Sequence, residues 1–223
     1  MKKTIFQTIP IIVLLFFSSC DQDLDTEGIS RTTYYNEIEL IGENNLVIVQ
    51  NDTYTEFGAL AKEDGVDVSK NIDITDDIDT SKTGHYVVSY YIENVDGFGK
   101  TITRDVFVLP ENRLISDYYN GSYTGDNSDG SFAGACEISH LGNGLYHCDD
   151  LIGGRYNLGR GYGPTYKIPG YFYITSDGSS YEALLTSSPW GPWEVIEQSL
   201  TGTVFSHRMQ IGTFSTPSTL TKE

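Results

Sequence analysis

The sequence predicts an all-β protein, built as a small β-sandwich followed by a second antiparallel sandwich or barrel. Gly (23 residues) and Tyr (16 residues) are abundant, short segments alternate apolar and polar side chains, and no helical period competes with them. An apolar fraction of 39% is too high for a disordered chain. Asp and Glu number 31 against 14 Lys and Arg, a net charge of −17. Such a surface repels phosphate backbones, so a basic nucleic-acid binder is excluded.

Met1, Lys2 and Lys3 open the chain with positive charge, and Ile5 to Phe17 is a mainly apolar run that stops at Ser18, Ser19 and Cys20. This is the pattern of a secretory signal over residues 1–19. The run falls short of the about 20 apolar residues a membrane helix needs, and no basic stop-transfer flank follows it. Ser18-Ser19-Cys20 resembles a lipobox, with Phe17 standing where Leu is usual. The resemblance makes Cys20 the lipidation site and the new N-terminus, and two or three acyl chains hold a protein where one is marginal. Residues 20–31 carry four acids, one Arg and no hydrophobic period, and read as an acidic flexible tether. Asp21-Gln22-Asp23-Leu24-Asp25, directly behind the lipid, resembles the surface-export signal of lipoproteins from Bacteroidetes-type outer membranes.

Residues 32–110 hold alternating segments at Ile38–Ile41, Leu46–Gln50, Asn71–Thr75, His85–Glu93 and Thr101–Leu109, with Asp96-Gly97-Phe98-Gly99 as the hairpin turn between the last two. Seven or so short strands without a helix make a small β-sandwich. Asp52-Thr53-Tyr54-Thr55-Glu56-Phe57-Gly58-Ala59, then Asp64-Gly65, then Asp79 through Tyr90, then Asp96-Gly97-Phe98-Gly99 before Arg104-Asp105-Val106, resemble the bacterial Ig-like surface domain, which also occurs in the tails of some pesticidal crystal toxins. Four separate blocks agree in order and spacing. Phe98 departs from the small or polar residue usual in that turn.

Pro110 closes this unit, because proline cannot donate to a continuing ladder. Residues 111–223 carry 16 of the 23 Gly and 16 of the 28 aromatics, the composition of aromatic strands joined by turns. Strands are expected at Gly121–Thr124, Ala133–His140, Gly144–Cys148, Gly170–Thr175, Tyr181–Thr186, Glu194–Glu197, Leu200–Phe205 and Met209–Phe214. Asp117 through Gly125, Gly144-Leu145-Tyr146, Asp149 through Tyr156, and Tyr162-Gly163-Pro164 resemble the β-rich C-terminal domain of unknown function found in Bacteroidetes-type surface lipoproteins. The expected fold class is therefore an Ig-like β-sandwich followed by a second antiparallel β-sandwich or barrel.

Cys136 and Cys148 flank the turn signal Leu141-Gly142-Asn143-Gly144. Folding about Gly142 sets them on neighbouring strands within disulfide reach, which an exported chain can oxidise. Free thiols, or a zinc site of Cys136, His140, His147 and Cys148, are the alternatives. The zinc spacing is not that of a finger, and a two-stranded face would have to turn all four side chains the same way. Asp64, Asp67, Asp73, Asp76, Asp77 and Asp79 invite a Ca²⁺ reading, but 15 acids in residues 32–110 cluster by composition alone. Asn127, Asp129 and Gly130 match only part of a calcium loop, with Gly125 where the first carboxylate belongs. No metal and no cofactor are expected.

Adjacent Asp149 and Asp150 point to opposite faces of a strand and cannot work as a glycosidase pair. No G-x-S-x-G occurs, and His85, His140, His147 and His207 have no triad-like spacing. An enzyme is not expected, a glycan-active one being the minority reading. The remaining feature is an aromatic and Gly-rich stretch, Gly153 through Tyr166, with Pro189-Trp190-Gly191-Pro192-Trp193 after it. Sugar rings stack their C–H faces on flat aromatics, and Arg donates to hydroxyls, so Trp190, Trp193, Tyr162, Tyr166 and Arg160 form a candidate glycan platform. The same rings could instead fill the core. The expected function is lipid-anchored binding at the outer-membrane surface, with polysaccharide or oligosaccharide as ligand in support of uptake. A structural or protein-interaction module, docked to a neighbouring outer-membrane transporter component, is the alternative.

Overall fold

The computed structural model describes residues 31–127 and 133–223. The signal, Cys20, the tether up to Ser30, and Asp129 and Gly130 lie outside the described residues. Among those described, no helix is long and apolar enough to cross a membrane. Strands dominate, as the alternation predicts.

Seven strands make the Ig-like part. β1 (Glu37–Leu40), β3 (Ala59–Glu63) and β4 (Val66–Asp67) form one sheet, while β2 (Asn45–Val49), β7 (Gly99–Leu109), β6 (Gly84–Glu93) and β5 (Asp73–Thr75) form the other in that order. β2 runs parallel to β7, and the remaining pairs are antiparallel. Between the sheets Ile48, Ala59, Val88, Tyr90 and Val106 make the core. The β6–β7 turn holds despite Phe98, because the Asn94 side chain accepts from Asp96 N (3.1 Å) and Phe98 N (2.7 Å) and Gly97 takes φ 86°. β3 and β4 were not expected from the sequence: β3 reads Ala59-Leu60-Ala61-Lys62-Glu63 without a β-branched residue, and β4 is only Val66-Asp67.

Arg104 on β7 is fully buried in this core. It pairs with Glu56 at 2.8 Å and donates to the carbonyls of Ile41 (2.6 Å) and Glu43 (3.2 Å). Glu56 also accepts from the hydroxyls of Tyr54 and Tyr90. Burial pushes the Glu56 carboxyl up, but these donors, Gly58 N–H and Arg104 outweigh it and hold it below the ordinary value. The buried charge is thus satisfied on every side, as a buried ion must be.

The rest of the chain is one antiparallel sheet of eight strands: β8 (Gly121–Asn127), β9 (Ala133–Gly142), β10 (Leu145–Cys148), β11 (Gly170–Ile174), β12 (Tyr181–Thr186), β13 (Glu194–Thr201), β14 (Val204–Ile211) and β15 (Phe214–Lys222). Their order is β12-β11-β10-β9-β8-β15-β14-β13. The sheet curls until its two edges meet. Leu200 N donates to Ser179 O (2.8 Å), Ser180 Oγ to Gln198 O (3.0 Å) and Thr186 Oγ1 to Trp193 O (2.6 Å), which nearly closes a barrel around Tyr123, Tyr146, Phe172, Tyr181 and Phe205. The C-terminal strands differ from expectation. The turn falls at Gly202, φ 60°, inside the segment read as Leu200–Phe205. Phe214–Lys222, a Ser/Thr-rich stretch with Pro217, is a strand whose inward Thr216, Ser218 and Leu220 are buried.

The two parts share packing. Phe107 and Leu109 at the end of β7 join Leu145 in a small core, flanked by Val47, Tyr171, Tyr173, Leu184 and Leu185. Arg113 bridges below it, donating to Asn143 O (2.5 Å) and Pro110 O (2.6 Å).

Candidate ligand-binding site

The site begins with the crossover from β10 to β11, residues 149–169. It folds over the end of the barrel where β8, β10, β12 and β14 finish and β9, β11, β13 and β15 start. Leu151, Ile152 and Ile168 sink into the core as its plug. The Asp150 carboxylate ties the plug together, accepting from Gly154 N and Ile168 N at 3.1 Å each. Burial pushes its carboxyl up to about 6, against the pull of those N–H groups. Leu151 O accepts from His207 Nε2 (2.7 Å) and Ser218 Oγ (3.1 Å), while His207 Nδ1 accepts from the Tyr181 hydroxyl (2.5 Å). Burial holds His207 neutral, with its pKa down to about 4.

Glycine makes the plug fit. Gly153 and Gly154, at φ 61° and 79°, press against β8 and β9 where Gly125 and Gly134 stand. A Cβ on Gly125 would lie 2.2 Å from Gly153 Cα. The chain then makes one wide turn, Arg155–Gly159, closed by Gly159 N to Gly154 O (2.9 Å) and Arg160 N to Arg155 O (3.0 Å). Such i to i+5 turns are frequent at functional sites. Arg155 tucks back to Thr216 (3.2 Å), Tyr156 packs partly buried against the core, and Arg160 is exposed.

The β12–β13 loop brings the tryptophans. Gly191 N donates to Ser188 O (3.0 Å), Ser188 Oγ to Gly191 O (2.8 Å) and Trp190 N to Ser188 Oγ (3.1 Å). Pro189 sits second in this turn and Trp190 third, so the indole projects from a stiff support. It is 43% exposed.

The structure brings four of the five sequence-predicted platform residues, Trp190, Tyr162, Tyr166 and Arg160, into one patch. Tyr156 lies 4.8 Å from Trp190 and 6.1 Å from Tyr162 in a parallel stack, Tyr166 lies 5.2 Å from Trp190 and 5.3 Å from Tyr162, and the Arg160 guanidinium covers Tyr156 at 5.7 Å. Tyr162 is 50% exposed. Trp193 is corrected: it is only 5% exposed and belongs to the barrel core. Its backbone N donates to Thr186 Oγ1 (2.7 Å) and its O accepts from the same hydroxyl, which turns the indole inward against Phe214 (5.9 Å) and Trp190 (6.4 Å). Trp193 is the floor of the platform and not a contact surface. Tyr156, absent from the predicted contact set, is its hub, and Phe214 was missed because the strand it opens was not foreseen.

Other constellations stay apart. His147 lies on the opposite face of β10 from Cys148, against Tyr171 (4.8 Å), and His140 bonds Asp117 (2.8 Å), so the four-residue zinc set is not assembled. Cys136, Cys148 and Asp149 do lie within 4.8 Å of one another. Yet Asp149 is engaged by Lys167 and by Glu137 N, and burial, with a hydrogen bond to Cys136, pushes the Cys148 thiol well up. Cys136 and Cys148 are both buried on one face; β10 pairs Cys148 with Ile138, leaving Cys136 one diagonal step away. Their disulfide is a proposal. Asp67, Asp76 and Asp79 cap their own turns through Ser69, Ile78 and Ser81. Asp149 and Asp150 lie just past β10, not on a strand, and bond separate partners, Glu137 N and Lys167 for the one, Gly154 N and Ile168 N for the other; His207 is enclosed. The arrangement can stack and hydrogen-bond a ligand.

Residues 38–108 match the family model for a bacterial surface protein, Ig-like domain, and residues 111–221 match the model of a C-terminal domain family. Neither is a catalytic family. No curated protein matches the chain. Among solved structures, a lipoprotein from Bacteroides thetaiotaomicron is similar at 23% identity and TM-score 0.44, covering 85% of this chain and all of that one. Two structures of Clostridium perfringens ZmpB are also similar. The M60 catalytic domain with CBM51-1 and CBM51-2 has 16% identity and TM-score 0.33, covering 52% of this chain and 14% of that one. CBM51-2 in complex with GlcNAc, with INT domains, has 11% identity and TM-score 0.31, covering 84% and 43%. The chain thus matches, in order, a bacterial surface Ig-like domain model and a C-terminal domain model.

Proposed function

We propose that this is a surface binding protein, anchored to the outer membrane by lipid on Cys20, whose C-terminal barrel holds a glycan chain on the patch made by Tyr156, Tyr162, Tyr166 and Trp190. One observation carries the reading: four rings from two loops form a continuous, partly exposed surface on a stiff floor. Exposing them has a cost that the fold does not require, since the barrel fills its core with other aromatics. Stacking contributes roughly 0.5 to 1.5 kcal/mol per ring, so one sugar binds weakly and a longer chain, engaging several rings, binds better. The placement serves polysaccharide uptake, with the Ig-like domain as spacer and the division between the domains at Pro110.

The test is retention in polysaccharide-containing gels of the wild type and of a Trp190→Ala, Tyr162→Ala double variant. The expected result is loss of retention with little change in melting temperature. Full retention by a folded double variant would overturn the site.

A further inference from the structure

We propose that the saccharide held at this rim is anionic and that Arg160 recognises its charge; the proposal rests on the glycan reading above. What points to it is where carboxylates are missing. Of the 31 Asp and Glu, 26 lie in residues 1–150, so the whole net charge of −17 belongs there, and residues 151–223 carry five acids and five Lys or Arg. The two carboxylates of the crossover are already engaged, Asp149 by Lys167 and Glu137 N and Asp150 by Gly154 N and Ile168 N, and the stretches that carry the rings, 151–176 and 183–193, contain no Asp or Glu. At the chain's average acid content they would hold several. The first acid to follow the rim loop is Glu194, directly after Trp193.

A site for neutral sugar has no reason to lack carboxylates, which accept hydrogen bonds from hydroxyls well. A site for an anion does, because each nearby carboxylate repels the ligand. The arginines agree. Arg104 pairs with Glu56, Arg208 with Glu197, and Arg113 donates to two carbonyls. Arg160 is exposed and, among the described residues, has no carboxylate or carbonyl partner; its guanidinium rests on the Tyr156 ring. Stacked in this way it keeps its planar fork of donors for two oxygens of a uronate carboxylate or a sulfate ester. Tyr156 in turn touches Trp190, so a sugar stacked on that indole has its charged group one ring from the cation. The acidic remainder does not cancel the attraction, since at physiological salt fields fade over about 8 Å.

The experiment compares retention of the full-length, detergent-solubilised protein in gels of two matched pairs: polygalacturonate against its methyl ester, and a sulfated galactan against the desulfated polymer. The expected result is stronger retention by the charged member of at least one pair, the pair identifying carboxylate or sulfate. Arg160→Gln should weaken that retention about tenfold, with Arg160→Lys intermediate and melting unchanged. Equal retention by charged and neutral members, or an Arg160→Gln variant that binds as the wild type does, overturns the anionic proposal and leaves glycan binding in place. Retention by none of the four overturns both.

Discussion

Trp190 and Trp193 stand three positions apart with opposite roles, and single substitutions should separate them. Trp193→Ala empties a space in the barrel core and should lower stability by about 3 to 5 kcal/mol in denaturant titration. Trp190→Ala, at an exposed turn, should cost less than about 1 kcal/mol. Equal costs would mean that both indoles are core. A second residue-scale prediction concerns the two titrating groups that hold Leu151 and its neighbours. His207, neutral in the fold with its pKa near 4, leaves the unfolded chain binding the extra proton below 6.5, so its contribution is complete above 6.5 and is lost as pH falls toward 4. Asp150 does the reverse: its folded carboxyl keeps a proton up to about 6 that the unfolded chain releases near 3.8, so its contribution falls as pH rises through that window. Between pH 4 and 6 the two nearly cancel. His207→Gln removes one side of the balance, and its stability relative to wild type should fall by about 2 kcal/mol from pH 4 to pH 6. A pH-independent difference would show that His207 is not held neutral.

At the scale of elements, the plug over the barrel end depends on glycines meeting backbone to backbone. Gly125→Ala sets a methyl into Gly153 Cα and should unseat the 149–169 crossover, lowering the denaturant midpoint and raising hydrogen exchange at Leu151 and Gly154, whereas Gly161→Ala, whose Cβ meets nothing, should leave both nearly unchanged in exchange despite its φ of 69°. This plug was not legible in the sequence. Gly125 and Gly153 are far apart in the chain, and nothing local says that two glycines are needed because two backbones touch. The hairpins were legible where turn chemistry was plain, as at Asp96-Gly97 and Gly142-Asn143, and failed at Thr201-Gly202-Thr203, where apolar residues on both sides masked a tight turn. β15 was hidden by hydroxyls: Thr216 and Ser218 face inward because Arg155 and Leu151 O bond them, a tertiary match that no periodicity shows.

At the scale of the whole molecule, acidity is concentrated in residues 1–150, and Phe107, Leu109 and Leu145 connect the Ig-like part to the barrel. The two loops of the platform were visible as composition, Gly and Pro around Tyr and Trp, but composition could not tell the floor from the surface. The orientation of Trp193 is set by Thr186 on another strand. Lipid attachment completes the proposal, and Cys20→Ser should move the protein from the membrane to the soluble fraction with its fold intact; a variant that stays with membranes would remove the anchor. The central claim is that Trp190 and its neighbouring tyrosines are the sugar-binding surface, and acrylamide quenching tests it most directly because the chain has two Trp, one exposed and one buried. The free protein should show one quenchable and one protected indole, the quenchable one lost in Trp190→Phe, and saturating oligosaccharide should protect it. A Trp190 that stays equally quenchable while the protein is retained by polysaccharide would contradict the account.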